Sequence, residues 1–155
     1  MSIDAFLKLG ETVILGSHTF TAEEIKRFAA RYDPQPFHLD EEAARQSVLG
    51  GLCASGWHTC AMWMRYNLQS IQRAEEDWDG PGPRPEFALS SGFSNLKWLK
   101  PVYAGDTITF TRTNLSHEPL ASRPGWRLLS AKADAFNNRG ERVLEFECRV
   151  PIKTE

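Results

Sequence analysis

The chain has 155 residues, 41% of them hydrophobic and 25% charged, a balance that fits one globular domain with a core of its own and requires no second. Eighteen Lys and Arg against 20 Asp and Glu leave a net charge of −2, which excludes the strongly basic face of a nucleic-acid binder. Three cysteines, Cys53, Cys60 and Cys148, form an odd set without CxxC spacing and argue against both a disulfide framework and a structural zinc site.

The opening MSIDAFLKLG has an acid at its fourth position and no basic leader before an apolar block, so it does not read as a signal peptide. The uncharged stretch 48–64 contains Ser, His, Thr and Gly and is too short and polar to span a bilayer. The expected setting is the cytoplasm, away from membranes.

Residues 11–20 carry the β-branched run Thr12-Val13-Ile14, broken at Gly16, and predict a short edge strand. Thr21 then opens a helix, with Glu24 completing a capping box. Ile25, Phe28, Ala29 and Tyr32 recur at helical spacing, so this helix buries one face and delivers Asp33 at its end. Pro34 and Pro36 flank Gln35 and disfavour helix in the residues before them, so 33–38 is expected to stay extended. Asp40 can cap a further short helix over 41–46, with acids in the first turn where the dipole favours them.

Gly50-Gly51 break the chain before its central element. From Gly56 to about Glu75, Trp57, Ala61, Met64, Leu68 and Ile71 follow helical spacing, and Cys60 and Trp63 widen the stripe. That stripe predicts a buried helix wrapped by a sheet. Residues 77–86, DWDGPGPRPE, predict a connector that holds neither helix nor ladder. The last third alternates as strands: Leu96 with Trp98, Ile108 with Phe110, Leu129 through Ala135, and Leu144 through Val150, with a turn at 137–140. The order of elements predicts an α+β domain over 1–155, one antiparallel sheet curled round one long helix.

The chemistry concentrates in 32–58, YDPQPFHLDEEAARQSVLGGLCASGWH. An Asp and a His held at fixed separation by two prolines can converge on one water, the arrangement general acid-base catalysis requires. Gly56, at the first turn of an apolar helix, can present its N–H to a ligand oxygen where the helix dipole adds positive potential.

The run from Asp33 to Asp40, preceded by FTAEEIKRFAARY and followed by Ala54-Ser55-Gly56, resembles the hydratase motif of the MaoC-like (R)-specific enoyl-CoA hydratases and dehydratases, a hotdog-fold family. The segment from Leu96 to Thr107 is similar to that family's later strand and turn. The resemblance implies a single hotdog domain and a hydro-lyase acting on an acyl-CoA or acyl-carrier thioester. It implies Asp33, His38 and Gly56 as the catalytic set, no metal or redox cofactor, and a homodimer. It places Tyr32, Gln35, Phe37, Ser55 and Trp57 around the substrate. There the chain departs from the family: Tyr32 stands for Gly, Gln35 for Asn, Phe37 for an aliphatic residue, Ser55 for His, and Trp57 for a smaller residue, which predicts an unusual acyl pocket.

Each residue also has a plainer role open to it. Asp33 before Pro34 can simply end a helix, His38 can be a hydrogen-bonded structural histidine, and Ser55 can be the N-cap of the long helix. Tyr32, Phe37, Trp57, Trp63 and Met64 can be core as well as pocket. Cys53, His58 and Cys60 read as small side chains of a buried segment rather than a metal or thiol site. His18, His58 and His117 show no acid at useful spacing. Arg65, Arg84, Lys97 and Lys100 are candidates for coenzyme A phosphates and also ordinary solvated surface. Two other functions fit the same fold: a non-catalytic acyl-thioester-binding or partner subunit, and a thioesterase, which lacks the carboxylate it would need on residues 57–66.

Overall fold

In the computed structural model, which describes residues 1–155, the elements run α1 (Ile3–Leu7), β1 (Thr12–Thr19), α2 (Ala22–Tyr32), α3 (Pro36–Leu39), α4 (Glu41–Gln46) and α5 (Gly56–Glu76). Five strands follow: β2 (Glu86–Phe87), β3 (Phe93–Trp98), β4 (Thr107–Pro119), β5 (Trp126–Phe136) and β6 (Arg142–Lys153). All pairings are antiparallel, in the order β1-β4-β5-β6-β2, with β3 pairing the first half of β6 beside β2. The sheet curls round α5, as the alternating segments and the one long helix predict.

The helix is fixed to the sheet by large side chains. Trp63 donates its indole N–H to the Thr111 carbonyl at 2.9 Å, and its ring meets Phe146 edge-on at 4.9 Å. Tyr66 stacks on Phe110 at 5.5 Å and fills the space above Gly16, where a Cβ would lie 2.4 Å from the ring. Gly16 therefore does not end the strand; β1 passes through it with a register shift, because only a residue without a side chain lets Tyr66 approach. The main core gathers Phe20, Ile25, Trp63, Ile108, Phe110 and Leu144, each worth about 1.5–3 kcal/mol when removed from water.

Three expectations are corrected. The stripe on α5 is turned differently: Trp57, Met64 and Leu68 are 49%, 46% and 56% exposed, while the buried positions are His58, Thr59, Trp63 and Asn67. Much of the predicted stripe therefore lines cavities and open surface, while Trp63 from that stripe and the polar Asn67 meet the sheet. Residues 33–38 are not extended throughout, because Pro36 opens the one-turn helix α3, where its missing N–H costs nothing. Glu86, expected in a connector, pairs with Lys153 in the short strand β2. Within the first ten residues, for which no element is predicted from sequence, Ile3–Leu7 form α1, whose Phe6 and Leu7 join Leu129 and Ile152 in a smaller core.

Candidate active site

The capping box starts α2 as its sequence dictates: Thr21 Oγ1 accepts from the Glu24 N–H, and Glu24 Oε1 from the Thr21 N–H. Ile25 and Ala29 bury one face of this helix, and Asp33 is its C-cap. One turn later α3 carries His38 inward, to 6% exposure. The segment 52–54 lies against this turn. Cys53 N–H donates to the Phe37 carbonyl at 3.3 Å, and His38 Nδ1 lies 2.6 Å from the Cys53 carbonyl oxygen. On its other side the segment is laced to the loop after β3, through Ala54 N–H to Val102 O at 2.8 Å and Ala104 N–H to Leu52 O at 3.0 Å. The later stretch that resembles the family motif thus braces the one that carries the acid and base.

His38 Nε2 stands 3.3 Å from Asp33 Oδ2. A carbonyl oxygen only accepts, so Nδ1 carries a ring proton, and Nε2 is left facing the carboxylate. Gln35 Nε2 donates to Asp33 Oδ1 at 2.6 Å. Burial by itself raises the Asp33 carboxyl, but hydrogen bonds from Ser55 and Gln35 and the nearby His38 outweigh it and hold the group below the usual carboxylate range. Ser55 is fully buried and does two jobs: it acts on Asp33, and its hydroxyl accepts from Trp57 N–H as the N-cap of α5. Gly56 follows as the first residue of the helix, so its N–H has no acceptor within the helix. The Trp98 indole packs on its Cα, and a Cβ there would lie 2.4 Å from Trp98 Cε2.

His38, Gly56, Thr59, Trp98, Lys100 and Val143 are among the residues lining a cleft of about 250 Å³. Further along α5 a larger, mainly apolar cavity of about 470 Å³ is bounded by Trp63, Met64, Phe93, Phe146 and Cys148, with Asn67, Arg112 and Asn114 among its few polar residues.

Of the residues read from sequence, Asp33, Gln35, His38, Ser55 and Gly56 come together. Phe37 meets the His38 ring edge-on at 4.6 Å and packs against the core. Trp57 is half exposed and touches Trp98 edge-on at 4.9 Å. Tyr32 is 66% exposed and packs on Phe28, outside both cavities. Lys100 borders the cleft but pairs with Glu141 at 3.0 Å, and Lys97 lies 3.9 Å from Glu145. Arg65 and Arg84 are exposed.

The Cys53 thiol is pushed up to about 11 by burial and by Asp33, so it stays protonated and is no nucleophile. His58 is buried, stacked on Phe28 at 4.5 Å. The expectation that His18 and His117 lack acids is corrected: His18 Nε2 lies 2.7 Å from Glu24 Oε1, and His117 Nε2 lies 2.6 Å from Asp4 Oδ1. Trp98 and Arg112 were absent from the sequence-derived set. Arg112 had a signal, since it falls on the inward phase of the alternation Ile108, Phe110.

A sheet curled round one long helix defines a hotdog protein, and in this chain an Asp–His pair lies near the N-terminus of that helix. The family model described as MaoC like domain matches residues 7–120, and the chain belongs to that family. A MaoC-like dehydratase from Rhodospirillum rubrum is 36% identical, covers 95% of this chain and 93% of its own, and superposes with a TM-score of 0.77. An (R)-hydratase from A. caviae, described as involved in PHA biosynthesis, shares the fold at 21% identity, with a TM-score of 0.66 over 95% of this chain and 96% of its own. The uncharacterized protein YdeM of Bacillus subtilis is 28% identical over 153 residues, 99% of either chain.

Proposed function

We propose that this protein adds water to, or removes it from, a 2-enoyl thioester of coenzyme A or an acyl carrier protein. The observation that carries the reading is the 3.3 Å approach of His38 Nε2 to Asp33 Oδ2 while Nδ1 is held by the Cys53 carbonyl. Two acceptors this close can both receive hydrogen bonds from one water, leaving an oxygen lone pair free for the β-carbon. The low Asp33 carboxyl favours it as the group that holds the water, and the His38 lone pair as the group that takes its proton. Hydroxide adds to the β-carbon, the π electrons move to the thioester oxygen, and the Gly56 N–H stabilises the enolate there with the dipole of α5 behind it. The proton returns from Nε2 to the α-carbon, which completes addition of H and OH. Dehydration is the reverse.

Gln35 and Ser55 stand where the resemblance led to Asn and His; Gln35 hydrogen-bonds the carboxylate, and Ser55 contributes to holding its pKa down. The departures therefore support the acid rather than remove it. The cleft between Gly56 and Trp98 suits the thioester carbonyl, and the apolar cavity beyond it suits the acyl chain. A second copy of the chain is the proposed partner, joined along the open edge of β3, where Phe93 lies exposed beside Met64 and Leu68 of α5 and Trp98 lies exposed beside Trp57.

The test is the ultraviolet absorbance of the conjugated thioester, with crotonyl-CoA and longer 2-enoyl-CoAs. Wild type should bleach it, and Asp33→Asn and His38→Ala should not. A wild type that binds these thioesters and leaves their absorbance unchanged would favour the non-catalytic binding subunit.

A further inference from the structure

The apolar cavity contains a group that an aliphatic chain does not need. Inward positions of β4 read Ile108, Phe110, Arg112 and Asn114, so a guanidinium stands on the helix-facing side of the sheet. Arg112 Nη1 donates to Asn67 Oδ1 on α5 at 2.6 Å. Its Nε is buried without an acceptor, and Asn114 Oδ1 is buried without a donor. None of the 18 residues around the cavity is Asp or Glu. Arg112 also borders a smaller cavity under α1 that includes Asp77, and it forms no ion pair across it.

A guanidinium has five N–H donors in a fork that matches a carboxylate, and only one is used here. Burying such a charge without a counter-ion is costly, and the fold offers no carboxylate to offset it. With its Oδ1 engaged by Arg112, Asn67 retains Nδ2 as a further donor. Within the chain these donors find no further acceptor.

The two cavities follow one another along the same three elements. α5 lends Gly56 and Thr59 to the cleft and Trp63, Met64 and Asn67 to the cavity; β3 lends Trp98 and then Phe93; β6 lends Val143 and then Phe146 and Cys148. Gly56 and Asn67 are separated by about 16 Å at the helical rise, room for a medium-length chain between the thioester and Arg112.

We infer that the acyl group of the substrate ends in a carboxylate, held at the far end of the apolar cavity by Arg112 and Asn67, so that the substrate class is an ω-carboxy-acyl thioester. The inference rests on the hydratase reading for the thioester in the cleft and assigns the apolar cavity independently.

Binding and turnover separate the two. Saturated decanoyl-CoA and decanedioyl-CoA cannot be hydrated, and their dissociation constants are compared by calorimetry. Wild type should bind decanedioyl-CoA about 10- to 100-fold more tightly. Arg112→Met should abolish the difference, and Arg112→Lys, which keeps the charge and loses the fork, should keep part of it. Equal affinities in the wild type overturn the inference whether or not enoyl-CoA is hydrated. Failure to hydrate either the methyl-terminated or the carboxy-terminated 2-decenoyl thioester, with the affinity difference intact, sinks the hydratase reading alone. Should Arg112→Met fail to fold by circular dichroism, the wild-type ratio and Arg112→Lys still decide.

Discussion

His38 Nδ1 lies 2.6 Å from the carbonyl oxygen of Cys53, a residue of the strap that leads into α5, and this contact fixes both the tautomer and the aim of the ring. Removing the ring strands a buried carbonyl, so His38→Ala should lose about 1–3 kcal/mol of stability as well as turnover. Asp33→Asn leaves that contact intact and should lose turnover by about 100-fold or more.

Ser55→Ala removes both the N-cap of α5 and a hydrogen bond to Asp33. Chemical unfolding should show a loss of about 1 kcal/mol. The Asp33 carboxyl lies below its ordinary value in the folded protein, so its stabilising contribution is present above the unfolded value and is lost as pH falls through the folded one. Without Ser55 the folded value rises, and the acid limb of the rate profile should move to higher pH. An unmoved limb would mean that another group sets it.

Burial depresses the His58 imidazole to about 4 against an ordinary 6.5, and its Nδ1 has no partner. The unfolded chain takes up this proton first, so stability should fall as pH drops from about 6.5 toward 4, by a total of about 3 kcal/mol. His58→Phe, which keeps the stack on Phe28, should flatten that part of the stability curve when unfolding is followed at several pH values.

Gly56→Ala puts a methyl group where the Trp98 indole packs, 2.4 Å from its nearest atom. The expected outcome is a changed near-ultraviolet circular dichroism signal from Trp57 and Trp98, about 1–3 kcal/mol of lost stability, and reduced turnover. Combining it with Trp98→Ala should cost less stability than the sum of the two single changes, because the clash is counted once.

Phe93 is exposed on the open edge of the sheet, beside Leu68 and Met64. In sedimentation velocity the wild type should run as a dimer and Phe93→Asp as a monomer at the same concentration. A wild-type monomer would leave the β3 edge without its proposed partner.

Much of this was legible in the chain. The capping box of Thr21 and Glu24, the delivery of Asp33 at the end of α2, the helix from Gly56 and the three last strands are all set by neighbours within a few residues, through caps, periodicity and turn chemistry. Tertiary structure alone decided which face of α5 is buried, because a curled sheet leaves room for cavities along much of the apolar stripe and draws Thr59 and Asn67 inward beside the expected Trp63. It likewise decided that Ser55 acts on Asp33, that Asp4 reaches His117, and that Arg112 meets Asn67 with donors to spare. Local sequence determines backbone conformation because its forces act over one or two turns. The pairing and exposure of a side chain depend on residues tens of positions away, which only folding brings within reach.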